Sequence, residues 1–254
     1  MDLGLSGKVV GVTGASSGIG AALVEAFVAE GSDVVGVARR PIVEGPHVLS
    51  AQADVREPEQ LTRAFDAAVA RWGRLDVVVA NAGLWPSEDV ALAHMDPARV
   101  REVIDVNLQG ALWTARAFLR VLERTGPRSD GDGASLVFIG STAGLFGERD
   151  HVEYAASKAA LRGVVKSLKN EIVRLDPAAR VNLVEPGWTV TPMVAASLED
   201  GAVAQVTRTM PLRRLATPED VAAAVLFFAS PRAARHVTGE VLTVAGGMEG
   251  RVLW

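Results

Sequence analysis

The apolar residues of this 254-residue chain fall into two alternating kinds of stretch. Short runs, apolar at nearly every position, come at Lys8–Val12 (KVVGV), Asp33–Val37 (DVVGV), His47–Ala53, Leu75–Ala80 (LDVVVA), Ser135–Gly140, Arg180–Val184 and Glu240–Ala245. Between them lie longer amphipathic stretches: Gly18–Glu30, Pro58–Arg71, one from Asp96-Pro97 to about Arg124, His151–Leu175 and Pro218–Ser230. A strand without polar alternation is buried on both faces, so interleaved helices predict a parallel sheet covered on both sides. Right-handed crossovers then give a doubly wound, Rossmann-like α/β fold of about seven strands. Asp96 before Pro97 and Thr217 before Pro218-Glu219-Asp220 suit helix starts, where a side-chain oxygen caps free N–H groups and acids meet the positive dipole end. Thr125–Gly133 (TGPRSDGDG) reads as a loose surface loop. No repeat or Pro/Ser-rich linker divides the chain, and the expectation is one domain over residues 1–254.

With 49% hydrophobic and 22% charged residues, the composition excludes disordered and collagen-like chains. A net charge of −4 gives no general attraction for nucleic acid or anionic membranes. The longest apolar run, Val221–Ala229, has nine residues, against the roughly 20 that a bilayer span needs. The start Met-Asp-Leu-Gly-Leu lacks the cationic and apolar regions of a signal peptide, and cysteine is absent. A cytoplasmic location is therefore expected. Histidines 47, 94, 151 and 236 are scattered without carboxylate pairing, so no metal is expected. Tyrosine occurs once, at Tyr154, and the chain's lysines number four: Lys8, Lys158, Lys166 and Lys169. The last two, on the same helix as Tyr154, read as solvated or at an interface.

Thr13–Gly20 (TGASSGIG) follows the first strand and opens the first helix. Glycines there let the backbone approach a pyrophosphate, while the helix N-terminus offers N–H donors and partial positive charge. The spacing is G-x-x-x-G-x-G rather than G-x-G-x-x-G. The second strand ends in Val37-Ala38-Arg39-Arg40. A site for NAD places an acid there to accept from the ribose 2′-hydroxyl, whereas Arg accommodates a 2′-phosphate. Two guanidiniums and no acid favour NADP(H); a solvated Arg pair is the other reading. Tyr154 and Lys158, four apart, share one helix face. An ammonium beside a phenol favours phenolate, lowering a pKa that is otherwise about 10. Tyr154 could then serve as general acid toward a ketone and base toward an alcohol.

In this order, the motifs resemble the short-chain dehydrogenase/reductase family over nearly the whole chain. TGASSGIG, with Gly14, Ser16, Ser17, Gly18, Ile19 and Gly20, is similar to the family's cofactor turn. Asp54-Val55 resembles its adenine-contacting pair, and Asn81-Ala82-Gly83 the turn after the fourth strand. Asn107 in VNLQG stands where the family keeps a long-helix Asn, Ser141 lies thirteen residues before Tyr154, and Tyr154-Ala155-Ala156-Ser157-Lys158 matches Y-x-x-x-K. Pro186-Gly187 with Thr189 and Thr191 resembles the segment that clasps the nicotinamide carboxamide; Pro218-Glu219-Asp220-Val221 and Thr238-Gly239 are further markers. The resemblance implies that Lys158 also bonds the nicotinamide ribose, that Ser141 holds the substrate oxygen, and that Asn107 anchors a water relaying protons from Lys158. Two departures stand out. Ser17 replaces the basic loop residue of many NADP-dependent members, and Ala245 replaces the usual Asp of an Asp-Gly-Gly near the C-terminus.

The activity so implied is hydride transfer between NADP(H) and a ketone or secondary alcohol, with a small-molecule carbonyl or alcohol as partner. A 3-oxoacyl-thioester reductase is an alternative, although the sequence displays no clear basic patch for an acidic carrier. A catalytically silent NADP(H)-binding regulator is another, but it would have no need of Ser141, Tyr154 and Lys158 together. The substrate pocket expected beyond the strand ends contains Ser141 and Phe146, with Trp85, Leu145, His151, Trp188 and Met193, an apolar set with few directing charges. Residues 192–211 (PMVAASLEDGAVAQVTRTMP) stand where the family keeps a substrate lid, with Gly201 suiting closure and Arg208 a candidate contact for an acidic substrate. Apolar residues on more than one face of the long helices, such as Leu112, Trp113, Phe118 and Leu119, point with the resemblance to a homo-oligomer, usually a tetramer. Val252-Leu253-Trp254 is expected to pack at a neighbour's interface or against a substrate pocket.

Overall fold

The computed structural model describes residues 2–195 and 202–248. Its strands are β1 (Val9–Thr13), β2 (Asp33–Ala38), β3 (Val48–Gln52), β4 (Val77–Ala80), β5 (Ser135–Ile139), β6 (Arg180–Pro186) and β7 (Val241–Val244). They form one parallel sheet in the order β3-β2-β1-β4-β5-β6-β7. Alternation along each strand divides the core in two. Val10, Val12, Val34 and Val79 face Leu23 and Phe27 of α1 (Gly18–Ala29) and Val221 and Phe228 of α8 (Pro218–Ala229). Val9, Val35, Val37 and Val78 face Phe65 of α2 (Pro58–Trp72), Phe118 and Leu122 of α4 (Gly110–Thr125), and Leu161 and Val165 of α6 (Val152–Glu171). This is the doubly wound arrangement that the unbroken apolar strands predict.

The capping expectations hold. The Asp96 side chain accepts from the Ala98 N–H at the start of α3 (Pro97–Ile104), and Thr217 and Asp220 form a reciprocal capping box on α8. Other readings change. The long helix expected from Pro97 is interrupted by a π turn at Asp105–Gln109, where the Gly110 N–H reaches back to the Asp105 carbonyl. There Gly110 runs against Val55, so closely that a Cβ would lie 2.6 Å from its Cγ2. The helix containing Tyr154 stops at Glu171 and finishes as a 3-10 turn, Ile172–Arg174. Short helices α5 (Ala143–Phe146) and α7 (Ala202–Thr207) and a 3-10 turn at Leu92–His94 carry too few residues for a periodic signal.

The polar stretch 125–133 is clamped rather than loose. Lys8 donates to Asp130 at 2.8 Å and Asp132 at 2.7 Å, and Arg74 to Asp130 at 2.7 Å. Arg128, 9% exposed, donates to the Leu75 carbonyl, the Thr125 hydroxyl and the Gly126 carbonyl. Lys166 is likewise engaged, donating to the Gly239 carbonyl at 2.6 Å. The N-terminal segment is fastened to the end of α8, where Ser230 Oγ donates to the Leu3 carbonyl and Arg232 pairs with Asp2.

Candidate functional site

The strand order reverses between β1 and β4, the switch point at which an open α/β sheet leaves a crevice beyond its carboxyl ends. A cavity of about 940 Å³ lies there. Its walls include the residues that follow β1, β2, β3, β4, β5 and β6. The parallel sheet thus brings six distant chain segments to one edge.

At one end, the loop after β1 is built to lie close to a ligand. Gly14 has φ +71°, and a Cβ there would meet Ala82 Cα at 2.9 Å, while a Cβ on Gly20 would lie 2.1 Å from the Gly14 carbonyl oxygen. Asn81 braces the loop by donating from Nδ2 to the Thr13 carbonyl at 2.9 Å, and Thr13 Oγ1 accepts from the Asn81 and Ala82 N–H groups. Ser17, the extended N-cap of α1, makes no side-chain capping bond, which leaves first-turn N–H groups for the oxygens of a ligand. Arg40 extends over this loop to Ser16 Oγ at 3.4 Å, and Arg39 stands beside it on the cavity wall. The Asp54 carboxylate is held below its usual range by hydrogen bonds from the Arg56 guanidinium and N–H, with the charge of Arg39 helping. Across the cavity Thr191 approaches Gly18, and Thr189 Oγ1 donates to the Gly187 carbonyl. Ala245, in place of the family's Asp, is buried against Gly187, where a Cβ would lie 2.8 Å from it. A close-approach turn, an open helix N-terminus and a facing strand end fit a dinucleotide.

At the other end Ser141, Tyr154 and Lys158 share a wall. Burial pushes the Tyr154 phenol up to about 12; the Ser141 hydroxyl pulls it down and the charge of Glu148 pushes it further up. Burial lowers Lys158 to about 8. Its ammonium lies 5.9 Å from the Tyr154 ring centre and donates to the Ile139 carbonyl at 3.0 Å. The expected acidified phenol is therefore corrected: the amine is turned to a main-chain oxygen, and desolvation outweighs what lowers the phenol. In this arrangement Tyr154 holds its proton at neutral pH.

All the residues expected to meet the cofactor line the cavity, as do Ser141, Phe146, Trp188 and Met193. Asn107 does not. It is 1% exposed at the π turn, accepting from the Leu84 N–H at 2.8 Å and donating to the Leu84 carbonyl and Ser157 Oγ. Its amide joins the loop after β4 to α6. His151 also stands outside the lining. Its ring lies behind Trp85 at 4.8 Å, with Nδ1 accepting from Arg99 at 3.1 Å and Nε2 bonded to Asp89 at 2.9 Å, so both nitrogens are occupied. Leu145 and Arg208 do not line it either, and Gly201 and Val252-Leu253-Trp254 lie outside the described residues. Glu148 and Arg149, passed over in the sequence, do line it, so the wall is less uniformly apolar than expected. Their signal was weak: two charges in a turn ordinarily read as solvated. Among the described residues no three His, Asp or Glu side chains converge as a metal cage would, and no helix is long and apolar enough to cross a membrane.

Residues 14–249 match a family model described as enoyl-(acyl carrier protein) reductase. An acetoacetyl-CoA reductase of Synechocystis sp. is 36% identical over 247 residues, covering 97% of this chain and 98% of its own. The ligand-free aldohexose dehydrogenase of Thermoplasma acidophilum superposes with a TM-score of 0.86 at 32% identity, covering 99% of this chain and 97% of its own. A 3-ketoacyl-(acyl-carrier-protein) reductase of Brucella melitensis, complexed with NADH, superposes with a TM-score of 0.85 at 27% identity, covering 96% and 98%. These likenesses run from the glycine loop to the last strand and agree with the crevice chemistry: the chain belongs to the short-chain dehydrogenase/reductase family.

Proposed function

We propose that this oxidoreductase is an NADP(H)-dependent ketone reductase, able to run in reverse on secondary alcohols. The observation that carries the reading is the convergence of Ser141, Tyr154 and Lys158 on the wall that continues from the dinucleotide cradle. A reduced nicotinamide, when bound, supplies the hydride that reaches the carbonyl carbon. The Ser141 hydroxyl hydrogen-bonds the substrate oxygen and stabilises its developing charge. Tyr154, protonated at neutral pH, gives its proton to that oxygen as the alcohol forms. Lys158, lowered to about 8, can pass a proton toward the phenolate and be recharged from solvent.

Arg39 and Arg40, with Ala38 before them and no acid at the end of β2, support NADP(H) over NAD(H). The relatives leave this open, because the Brucella enzyme was crystallised with NADH. A 3-oxoacyl thioester is the second substrate reading, favoured by the likeness to acetoacetyl-CoA reductase. The proposed protein is cytoplasmic, one domain, and a homotetramer.

Ketone-dependent loss of NADPH absorbance tests the reading. Tyr154→Phe should lower turnover about a hundred- to ten-thousand-fold while NADPH still binds, as followed by fluorescence titration. Loss of cofactor binding with turnover in that variant would place Tyr154 in structure rather than chemistry. Wild-type protein that binds NADPH but reduces no ketone or 3-oxoacyl thioester would return the silent regulator.

A further inference from the structure

We propose that Glu148 is a specificity-determining residue of the cavity and selects ketones carrying a hydroxyl group close to the reacting carbonyl; this rests on the reductase reading above. Glu148 lines the cavity from the turn between α5 and α6. The turn is built, not slack. It opens at Gly147 with φ +78° and closes at Asp150 with φ +65°, a conformation that costs a non-glycine residue energy unless its surroundings impose it. The surroundings do so. The Asp150 carbonyl accepts from the Val90 N–H at 3.2 Å and from Arg99 at 3.4 Å. Arg99 is itself fixed by Glu153 at 2.8 Å and by the Glu88 carbonyl at 2.6 Å.

Formal charges in the cavity separate cleanly. Arg39, Arg40 and Asp54 belong to the nucleotide end. Lys158 is committed to the Ile139 carbonyl. Arg149 points outward, its side chain 87% exposed and paired with Asp150 at 3.2 Å. Among the described residues Glu148 is therefore the charge left to the inner substrate wall, beside Trp85, Trp188, Phe146 and Met193. Burial raises its carboxyl, the Trp85 indole N–H and His151 oppose this, and Asp89 and Glu153 add to the rise. It lines the same cavity as Ser141 and Tyr154, and its charge pushes the Tyr154 phenol up.

A carboxyl in an apolar wall that takes the Trp85 indole N–H still has oxygen lone pairs to fill, and it rewards a substrate that brings a further donor. A site of this kind discriminates against the analogue lacking the hydroxyl, because a half-buried carboxyl oxygen then goes without that further donor. The same charge repels a carboxylate adjacent to the carbonyl. The chemistry thus points to a hydroxy ketone, or a vicinal diol in reverse.

Three ketones of nearly one shape read this directly: 2-hydroxyacetophenone, propiophenone and benzoylformate, assayed with NADPH. Wild-type kcat/KM should favour the hydroxy ketone over propiophenone by roughly tenfold to a hundredfold, chiefly through KM, with benzoylformate the poorest. Glu148→Leu should erase the hydroxyl preference. Glu148→Gln, which keeps an acceptor but not the charge, should retain part of it and improve benzoylformate relative to the other two. NADPH titration reports whether each variant is folded; if the Leu variant is not, the benzoylformate ratio in the Gln variant carries the test. A wild-type preference near unity, or one unchanged in the variants while all ketones are reduced, overturns the role of Glu148 and leaves the reductase standing. If none of the three ketones is reduced with NADPH or NADH, the role of Glu148 falls; if a 3-oxoacyl thioester is not reduced either, the reductase reading falls with it.

Discussion

Arg39 and Arg40 show how a single side chain's meaning depends on what is missing near it. Both line the nucleotide end of the cavity, and the acid that would repel a 2′-phosphate is absent from the end of β2. Arg39→Asp supplies that acid and should move the ratio of kcat/KM for NADPH over NADH toward NADH by about tenfold or more, the worth of one charge-assisted contact. An unchanged ratio would remove the 2′-phosphate assignment. At this scale the chemistry-bearing residues were legible because their types are restricted: one tyrosine, few lysines and a glycine run in a fixed place. Their electrostatics were not. Helical spacing puts Lys158 beside Tyr154, yet the direction of the phenol's shift depends on burial and on where the ammonium points, and both are set by the Ile139 carbonyl and the surrounding wall. His151 misled for a related reason. It adjoins the helix of Tyr154, but its partners Asp89 and Arg99 lie far off in sequence.

Among elements, the five inner strands were readable because burial on both faces leaves no polar alternation to confuse them. The π turn was not: apolar spacing on either side of Asn107 fits an unbroken helix, and the extra residue leaves no compositional mark. The segment 125–133 misled through its composition, since Gly, Ser and Asp suit a solvated loop as well as one gripped by distant cations. Its grip has a pH signature. Burial alone would raise the Asp130 carboxyl, but hydrogen bonds from Lys8 and Arg74 outweigh it and hold the group far below its usual range. A depressed carboxyl stabilises the folded state above its unfolded pKa of about 3.9, and that contribution is lost as pH falls through and below that value. Asp130→Asn should therefore lower the urea midpoint near neutral pH, and the gap from wild type should narrow below about pH 4. A gap that persists in acid would mean the clamp works by shape rather than charge.

For the whole molecule, assembly is the open quantity. Val152 on α6, Val173 just beyond it and Leu242 on the edge strand β7 are each more than a third exposed. Light scattering on the purified protein should return the mass of four subunits; a single-subunit mass would contradict the tetramer proposal. Topology has a different consequence, felt during synthesis. α1 leaves the ribosome well before α8, whose Val221 and Phe228 cover its Leu23 and Phe27. Until Val221 to Phe228 emerge, a nascent chain carries a greasy stripe on its opening helix, and the Leu3 carbonyl waits as long for Ser230. A protein wound in this way leaves that stripe uncovered while about two hundred further residues are made, the kind of exposed apolar surface through which nascent chains aggregate.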